Sequence, residues 1–272
     1  MITTVLTRAL AGSELRPRRA AAVTERNIVT LRGSGSYWWL VISGVAEPLF
    51  YLLAIGWGVG ALVGEMTLPD GRVVPYLTYL APALVAASAM NGAIAEATFN
   101  FFARMKFSKL YDSVLNSPVT PVELAFGELA WATIRGTIYI GSFLVVMVAM
   151  DVTTPVRALV ALPAGVLVGF AFSALGIALA TILRTWQDFD YIGMIQFGLF
   201  LFSGTFVPVA TFPVPLQVVV QVTPLYHGVE LLRAITTGAV TWASAWHVLY
   251  LIAVTMVGIA IAGQRLQRKL HR

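Results

Sequence analysis

Cysteine is absent from all 272 residues. Disulfides, cysteine-ligated zinc and thiol catalysis are therefore excluded together, while the redox compartment stays undetermined. Charge is nearly as scarce, at 11% of residues, against about a quarter in an ordinary soluble domain. A water-facing surface of usual polarity is not available. Histidine occurs three times, at His227, His247 and His271, too dispersed along the chain for a recognisable metal site, and no metal is expected. No G-x-x-x-x-G-K-[ST] segment is present, which excludes ATP hydrolysis by the P-loop route, and there is no H-E-x-x-H. The serines are many, but none stands in a nucleophile-elbow context. A selectivity-filter sequence and two similar halves are both missing, which argues against a channel and a secondary transporter.

What is abundant is apolar sequence, 58% of the chain. Between Trp38 and Gly263 it falls into runs of about 18 residues or more with few charges, each long enough to cross a bilayer. The expected fold is an all-α polytopic membrane protein with six transmembrane helices. The spans run approximately over Trp39 to Val63, Tyr76 to Phe102, Leu124 to Met150, Val156 to Leu183, Tyr191 to Val207 and Ala243 to Ala262. Residues 1–37 form a cytoplasmic N-terminal segment, 38–263 the transmembrane domain, and 264–272 a basic cytoplasmic tail. No apolar core of a cleavable signal peptide falls within roughly the first 30 residues. From Arg19 to Arg32, Ala22, Val23, Ile28, Val29 and Leu31 interleave with arginines, which suits either an amphipathic helix lying in the headgroup layer or a basic tail without structure.

Counted on alternate sides of six spans, 14 lysines and arginines fall on one face and 3, Arg72, Arg157 and Arg233, on the other. The positive-inside rule then places both termini in the cytoplasm and supports an even number of spans. The net charge of +5 sits beside apolar runs, where anionic headgroups rather than nucleic acid are the fitting partner.

One cation remains. Arg135 lies near the middle of the third span, where a charge costs a few kcal/mol unless it finds a partner. By spacing, Glu128, Trp131 and Arg135 share a stripe of that helix, and Glu96 near the end of span two is the expected partner of Arg135. Such a pair either fixes the packing of spans two and three or lies on a transport route. Gly56, Gly60 and Gly64 in span one, with Gly165 and Gly169 in span four, have the fourfold spacing of close helix contacts. Read as a nucleotide fingerprint, the span-one glycines fail, because no strand precedes them.

The polar segment from Arg104 to Glu123 separates spans two and three. A short helix there would carry Leu110, Val114 and Leu115 on one side and Lys106, Lys109, Asp112 and Ser113 on another, a surface for a soluble partner or for the membrane itself. A membrane protein with no motor of its own needs such a partner. Here the chain resembles a known family, the ABC-2 type permeases of bacterial ABC exporters. Leu110 to Pro118 with Val122-Glu123-Leu124 and Gly127-Glu128 is similar to the family's coupling stretch. Phe202-Ser203-Gly204-Thr205-Phe206-Val207-Pro208 is similar to the end of its fifth span, and Pro224 to Arg233 to its outer signature. Together with Glu47 to Tyr51 and Gly56 to Gly64, the resemblance covers about Val23 to Gly263. The run Arg104 to Asp112 most resembles the branch of nodulation lipo-oligosaccharide exporter permeases.

The resemblance implies a transporter subunit of the bacterial plasma membrane that performs no bond chemistry. It implies a second permease, either another copy or a sister chain, and a separate ATP-binding subunit that carries ATP and magnesium. That subunit would grip Lys109, Leu110, Tyr111, Asp112, Val114, Leu115 and Ser117. The stretch before the last span would be re-entrant from the outside, as Pro208, Pro213, Pro215 and Pro224 suit. It would carry an outer signature of Pro224, Tyr226, Glu230 and Arg233, the last two either satisfying each other there or forming a solvated pair. The cargo path between spans two and five would be lined by Ser88, Asn91, Thr98, Gln196, Phe197, Phe200 and Ser203, with few charges and many aromatics, as an amphiphile requires. A membrane scaffold or an intramembrane enzyme is the alternative reading.

Overall fold

The structure, a computed structural model, describes residues 16–33, 37–68, 70–106, 118–183 and 185–270. Nine helices and one small hairpin make up this part of the chain. Helix α1 is Pro17–Gly33. Helix α2, Tyr37–Leu53, continues through a π-helical turn at Ala54–Val59 and a last turn at Gly60–Val63. Helix α3, Tyr76–Ile94, likewise passes through a π turn, Ala95–Asn100, into Phe101–Lys106. There follow α4 (Pro121–Ala149), α5 (Pro155–Ala180), α6 (Asp188–Phe202), α7 (Val214–Gln221), α8 (Pro224–Thr237) and α9 (Trp242–Leu270).

Among the described residues, four helical stretches are long and apolar enough to cross a membrane: Tyr76–Arg104, Phe126–Ala149, Pro155–Ala180 and Trp242–Ala262. A shorter apolar stretch, Pro48–Val63, belongs to α2. Helix α6 has 15 residues, about 22 Å at 1.5 Å per residue, short of the roughly 30 Å hydrocarbon core. The sequence placed its end near Val207. It stops at Phe202 because Gly204 takes a left-handed φ of +72° and Pro208 follows. A second difference lies between α2 and α3, where a loop was expected. Glu65–Thr67 (β1) pairs antiparallel with Val73–Pro75 (β2), with Met66 opposite Val74. Asp70-Gly71 supplies the turn, with Gly71 at φ +82°, and Asp70 accepts from both the backbone N–H and the Nε of Arg72. The last helix runs on to Leu270.

Helix α5 is the hub and packs against α9, α4, α3 and α8. Small residues set these distances. A Cβ on Gly165 would meet Ile140 Cγ2 of α4 at 2.7 Å, one on Gly176 would meet Ala97 Cβ of α3 at 2.8 Å, and one on Gly258 of α9 would meet the Ala174 backbone carbon at 2.8 Å. Of the span-one glycines, only Gly56 makes such a contact, with Leu77 of α3. Gly60 meets nothing beyond its own helix, and Gly64 has open space at φ +74°. The packing face expected from all three is thus corrected to Gly56 alone within the chain: the wider π turn rotates Gly60 off that face, and Gly64 serves to end the helix. The outward faces carry exposed apolar side chains, among them Trp246, Leu249 and Ile252 on α9 and Ile134, Ile138 and Val145 on α4, as lipid contact requires.

Because the obstruction at Gly258 is backbone, it cannot swing aside. Gly258→Ala is expected to destabilise the chain by about 1–3 kcal/mol through overpacking, whereas Gly193→Ala, which meets open space, should change little. Thermal unfolding of both variants in the same detergent checks the contrast.

Candidate functional site

At the C-terminal end of α3 the π turn holds Glu96 buried, 5% exposed. π turns are rare and concentrate at functional positions. Glu96 Oε1 accepts from Arg104 Nη2 at 2.8 Å and from Trp131 Nε1 at 3.0 Å. Its Oε2 accepts from Asn100 Nδ2 at 2.6 Å and from Arg135 Nη1 at 2.7 Å. Four donors fill the roughly four lone-pair positions of a carboxylate. Arg104 also bonds Glu128 through Nη1, and Glu128 accepts from Asn27 Nδ2 and Arg26 Nη2, each at 3.3 Å. A charged chain therefore runs from Arg26 on α1 through Glu128, Arg104 and Glu96 to Arg135. Glu128, Trp131 and Arg135, one stripe by spacing, all reach this chain.

Helix α1 is held on the same side. Its buried face, Val23, Thr24 and Asn27, lies on α4 so closely that a Cβ on Gly127 would stand 2.6 Å from Val23 Cβ. Thr24 Oγ1 donates to Gly127 O at 3.0 Å. Thr120 and Glu123 form a reciprocal capping box at the start of α4, and Glu123 Oε1 also accepts the backbone N–H of Arg16 at 3.0 Å. The T-x-x-E signature before an apolar run was there to be read. Arg26, Asn27 and Arg104 carried no such signal for Glu128, since it reaches them from another helix.

Above Glu96 two cavities open. One, of about 260 Å³, is lined by Ser88, Asn91, Glu96, Asn100, Arg135 and Tyr139 among others. The second, of about 330 Å³, lies between α2, α3 and α6 and is lined by Tyr51, Leu84, Ala87, Ser88, Asn91, Gly193, Gln196, Phe197 and Phe200. Five of the seven expected path residues thus share one cavity, and Gln196 Nε2 donates to Asn91 Oδ1 at 3.1 Å across it. Tyr51 is an addition the sequence reading lacked. Thr98 and Ser203 are corrections. Thr98 is buried against Gly176 of α5 and donates to its own helix at Ile94 O, because the π turn points it away from α6. Ser203 is buried at the C-cap of α6 with an unpartnered Oγ. The expected coupling residues, Lys109, Leu110, Tyr111, Asp112, Val114, Leu115 and Ser117, lie outside the described residues.

On the opposite side Arg233 is 3% exposed. It bonds Glu230 at 2.5 Å, Tyr79 O of α3 at 3.2 Å and Gly204 O at 2.7 Å, and its guanidinium lies 3.9 Å from the Tyr79 ring centre. Tyr79 OH donates to the same Gly204 O at 3.1 Å. The pair with Glu230 is therefore half of a buried latch, not a solvated ion pair. Pro224 opens α8 at its first turn, where its missing N–H costs nothing. Tyr226 stands edge-on to His227 and His247. These two histidines, far apart in sequence, meet Nδ1 to Nδ1 at 2.7 Å, and His227 stacks on Tyr250 at 3.8 Å. Among the described residues no group of three or more His, Cys, Asp or Glu is placed to hold a metal. Burial, and then the neighbouring His247, press the His227 imidazole down to about 4.

Two outcomes follow from this geometry. Removing Glu96 takes from Arg135 its carboxylate and from Arg104 one of two, so Glu96→Ala should cost about 3–5 kcal/mol; Arg135→Gln should cost clearly less, since Arg104, Trp131 and Asn100 still satisfy Glu96. Thermal unfolding of the two variants measures the asymmetry. For His227 the sign is set by its lowered value: between pH 6.5 and about 4 the unfolded state binds the extra proton, so stability falls as pH drops through that window. Melting temperature should decline there more steeply in the wild type than in His227→Gln.

A family model described as ABC-2 type transporter matches residues 20–237 of this chain. "Nodulation protein J" of Rhizobium meliloti (strain 1021) is 30% identical over 231 residues, covering 85% of this chain and 86% of that protein. The protein of the same name from Rhizobium leguminosarum bv. viciae is 28% identical over 84% of this chain and 88% of its own length, and that of Bradyrhizobium diazoefficiens 26% identical over 84% and 87%.

Proposed function

The chain belongs to the ABC-2 type transporter family, and from that premise we propose that it is the membrane-spanning permease subunit of an exporter that moves an amphipathic cargo out of the cell. The cargo class is a lipo-oligosaccharide, another glycolipid or a drug of similar build. In this reading the chain crosses the bacterial plasma membrane six times, with α2 and α6 completing the set and both termini in the cytoplasm. Helix α1 lies along the inner surface, and Pro208 to Gly238 enters the outer leaflet and returns. Two permeases work with two copies of a separate ATP-binding subunit, which holds ATP and magnesium and grips Lys109 to Ser117. The permease itself performs no bond chemistry.

The observation that carries this reading is the cavity between α2, α3 and α6, apolar and aromatic at Tyr51, Leu84, Phe197 and Phe200 and polar at Ser88, Asn91 and Gln196. Such a lining fits a molecule with one greasy and one wettable end. The required physics is differential contact, since a partner moves the permease only if ATP makes it prefer one permease state over the other. The chain of ion pairs from α1 to Arg135 supplies a stiff link between the inner surface and the cavity wall.

The test is to co-express the chain with candidate stand-alone ATPases of its genome and purify through a tag on the permease. An ATPase should co-purify and hydrolyse ATP in lipid. Asp112→Lys, which places a like charge at a charge-steered contact worth several kcal/mol, should cut coupled hydrolysis by about a hundredfold while membrane insertion is kept. If no candidate ATPase associates, the exporter reading gives way to a membrane scaffold or an intramembrane enzyme.

A further inference from the structure

Arg135 lies nine residues beyond Phe126, the start of its membrane-crossing stretch, about 14 Å into a hydrocarbon core of roughly 30 Å. At that depth a guanidinium is expected to have its charge fully answered by protein. It does not. A guanidinium has five N–H donors, and Arg135 engages one of them with a described residue, Nη1 with Glu96 Oε2. Glu96 has no more to give, because Arg104, Trp131 and Asn100 occupy its other acceptor positions. The side chain of Arg135 nevertheless remains 34% exposed, and it lines the cavity of about 260 Å³.

The other polar groups of that cavity point to the same chemistry. Ser88, Asn91, Asn100 and Tyr139 line it with Arg135, and each brings at least one N–H or O–H. Glu96 lines it too, but with its lone pairs filled it presents a carboxylate already neutralised by its donors. Ser88 and Asn91 belong equally to the aromatic cavity of about 330 Å³, so the two cavities share a wall. One end offers unused donors on a fixed cation, the other Phe197, Phe200 and Leu84.

We infer that Arg135 receives the acidic head of an amphiphile, a phosphate, sulfate or carboxylate, while the apolar chain of the same molecule lies along Phe197 and Phe200. The planar fork of arginine matches two oxygens of such a group at once. A charged acceptor in a low-dielectric site binds it about twice as strongly as a neutral hydroxyl. The inference rests on reading the larger cavity as the path of an amphiphile, and it adds what the head must be.

The test uses the full chain in phosphatidylcholine nanodiscs, with counts on empty discs subtracted, and two radiolabelled probes that differ only in the head: oleoyl lysophosphatidic acid and monooleoylglycerol. The wild type should bind the phosphate-bearing probe about tenfold tighter or more. Arg135→Gln, which can still donate to Glu96, should bring the two probes within about twofold of each other, and Arg135→Lys, which keeps the charge but loses the fork, should fall between. Phe197→Ala should weaken both probes alike. Discs containing phosphatidylglycerol separate the two sources of an acidic head: displacement of the probe assigns the site to the bilayer's own acidic lipid, and persistence assigns it to a single-chain cargo. Equal binding of the two probes by the wild type, or an undiminished preference in Arg135→Gln, overturns the inference. If Phe197→Ala still weakens both probes in that case, the amphiphile path stands without it; if neither probe binds at all, the path fails as well.

Discussion

A single carboxylate with no spare lone pair organises one end of this helix bundle. Glu96 answers an arginine from its own helix and one from α4, and it takes a tryptophan and an asparagine as well. Buried ion pairs contribute little net stability when complete and cost much when one member is lost. Their effect here is to fix register. Arg104 bonds Glu96 and Glu128 at once, so α3 cannot slide along α4 by a turn without leaving a charge alone in an apolar surround. Through Glu128 the constraint reaches Arg26 and Asn27, and α1 is tied to the same cluster.

The other end has a counterpart of different construction. Arg233 holds two backbone carbonyls, one in the middle of a helix turn on α3 and one just past the end of α6, and its charge is balanced by Glu230. The Gly204 carbonyl belongs to backbone that has left the helix, which is tolerated in a membrane only where protein covers it. Gly204 exposes its carbonyl to both Tyr79 and Arg233 because its left-handed backbone turns it away from the helical ladder. The Glu96 cluster joins side chain to side chain, while the Arg233 cluster joins side chain to main chain. The Arg72 Nη1 bond to Thr237 O at 3.0 Å adds the hairpin to the same assembly.

Much of this was legible in the sequence, for reasons that differ by element. Four of the expected spans follow from hydropathy, and the need of Arg135 for a carboxylate follows from its depth; Glu96 stands beside it. Ser88, Asn91, Gln196, Phe197 and Phe200 line one cavity because they sit in the middles of α3 and α6. Three things were hidden. The π turns shift side chains by about one position, which moved Thr98 and Gly60 off the faces that a regular helix would give them. Arg104 looked like an ordinary residue at a span's end, since its bond to Glu128 depends on how α3 and α4 cross. His227 and His247 looked dispersed because a helix–helix contact, not spacing, joins them.

The docking of α1 has a consequence for the order of events during synthesis. Its partners Glu123, Gly127 and Glu128 come more than 100 residues later in the chain, at separations of 101 to 107. At roughly 5–20 residues per second on the ribosome, the N-terminal helix waits some seconds before the surface that receives it exists. Until then its arginines and its apolar stripe lack the partners they have in the finished fold, so α1 can dock only after the first turns of α4 have been made.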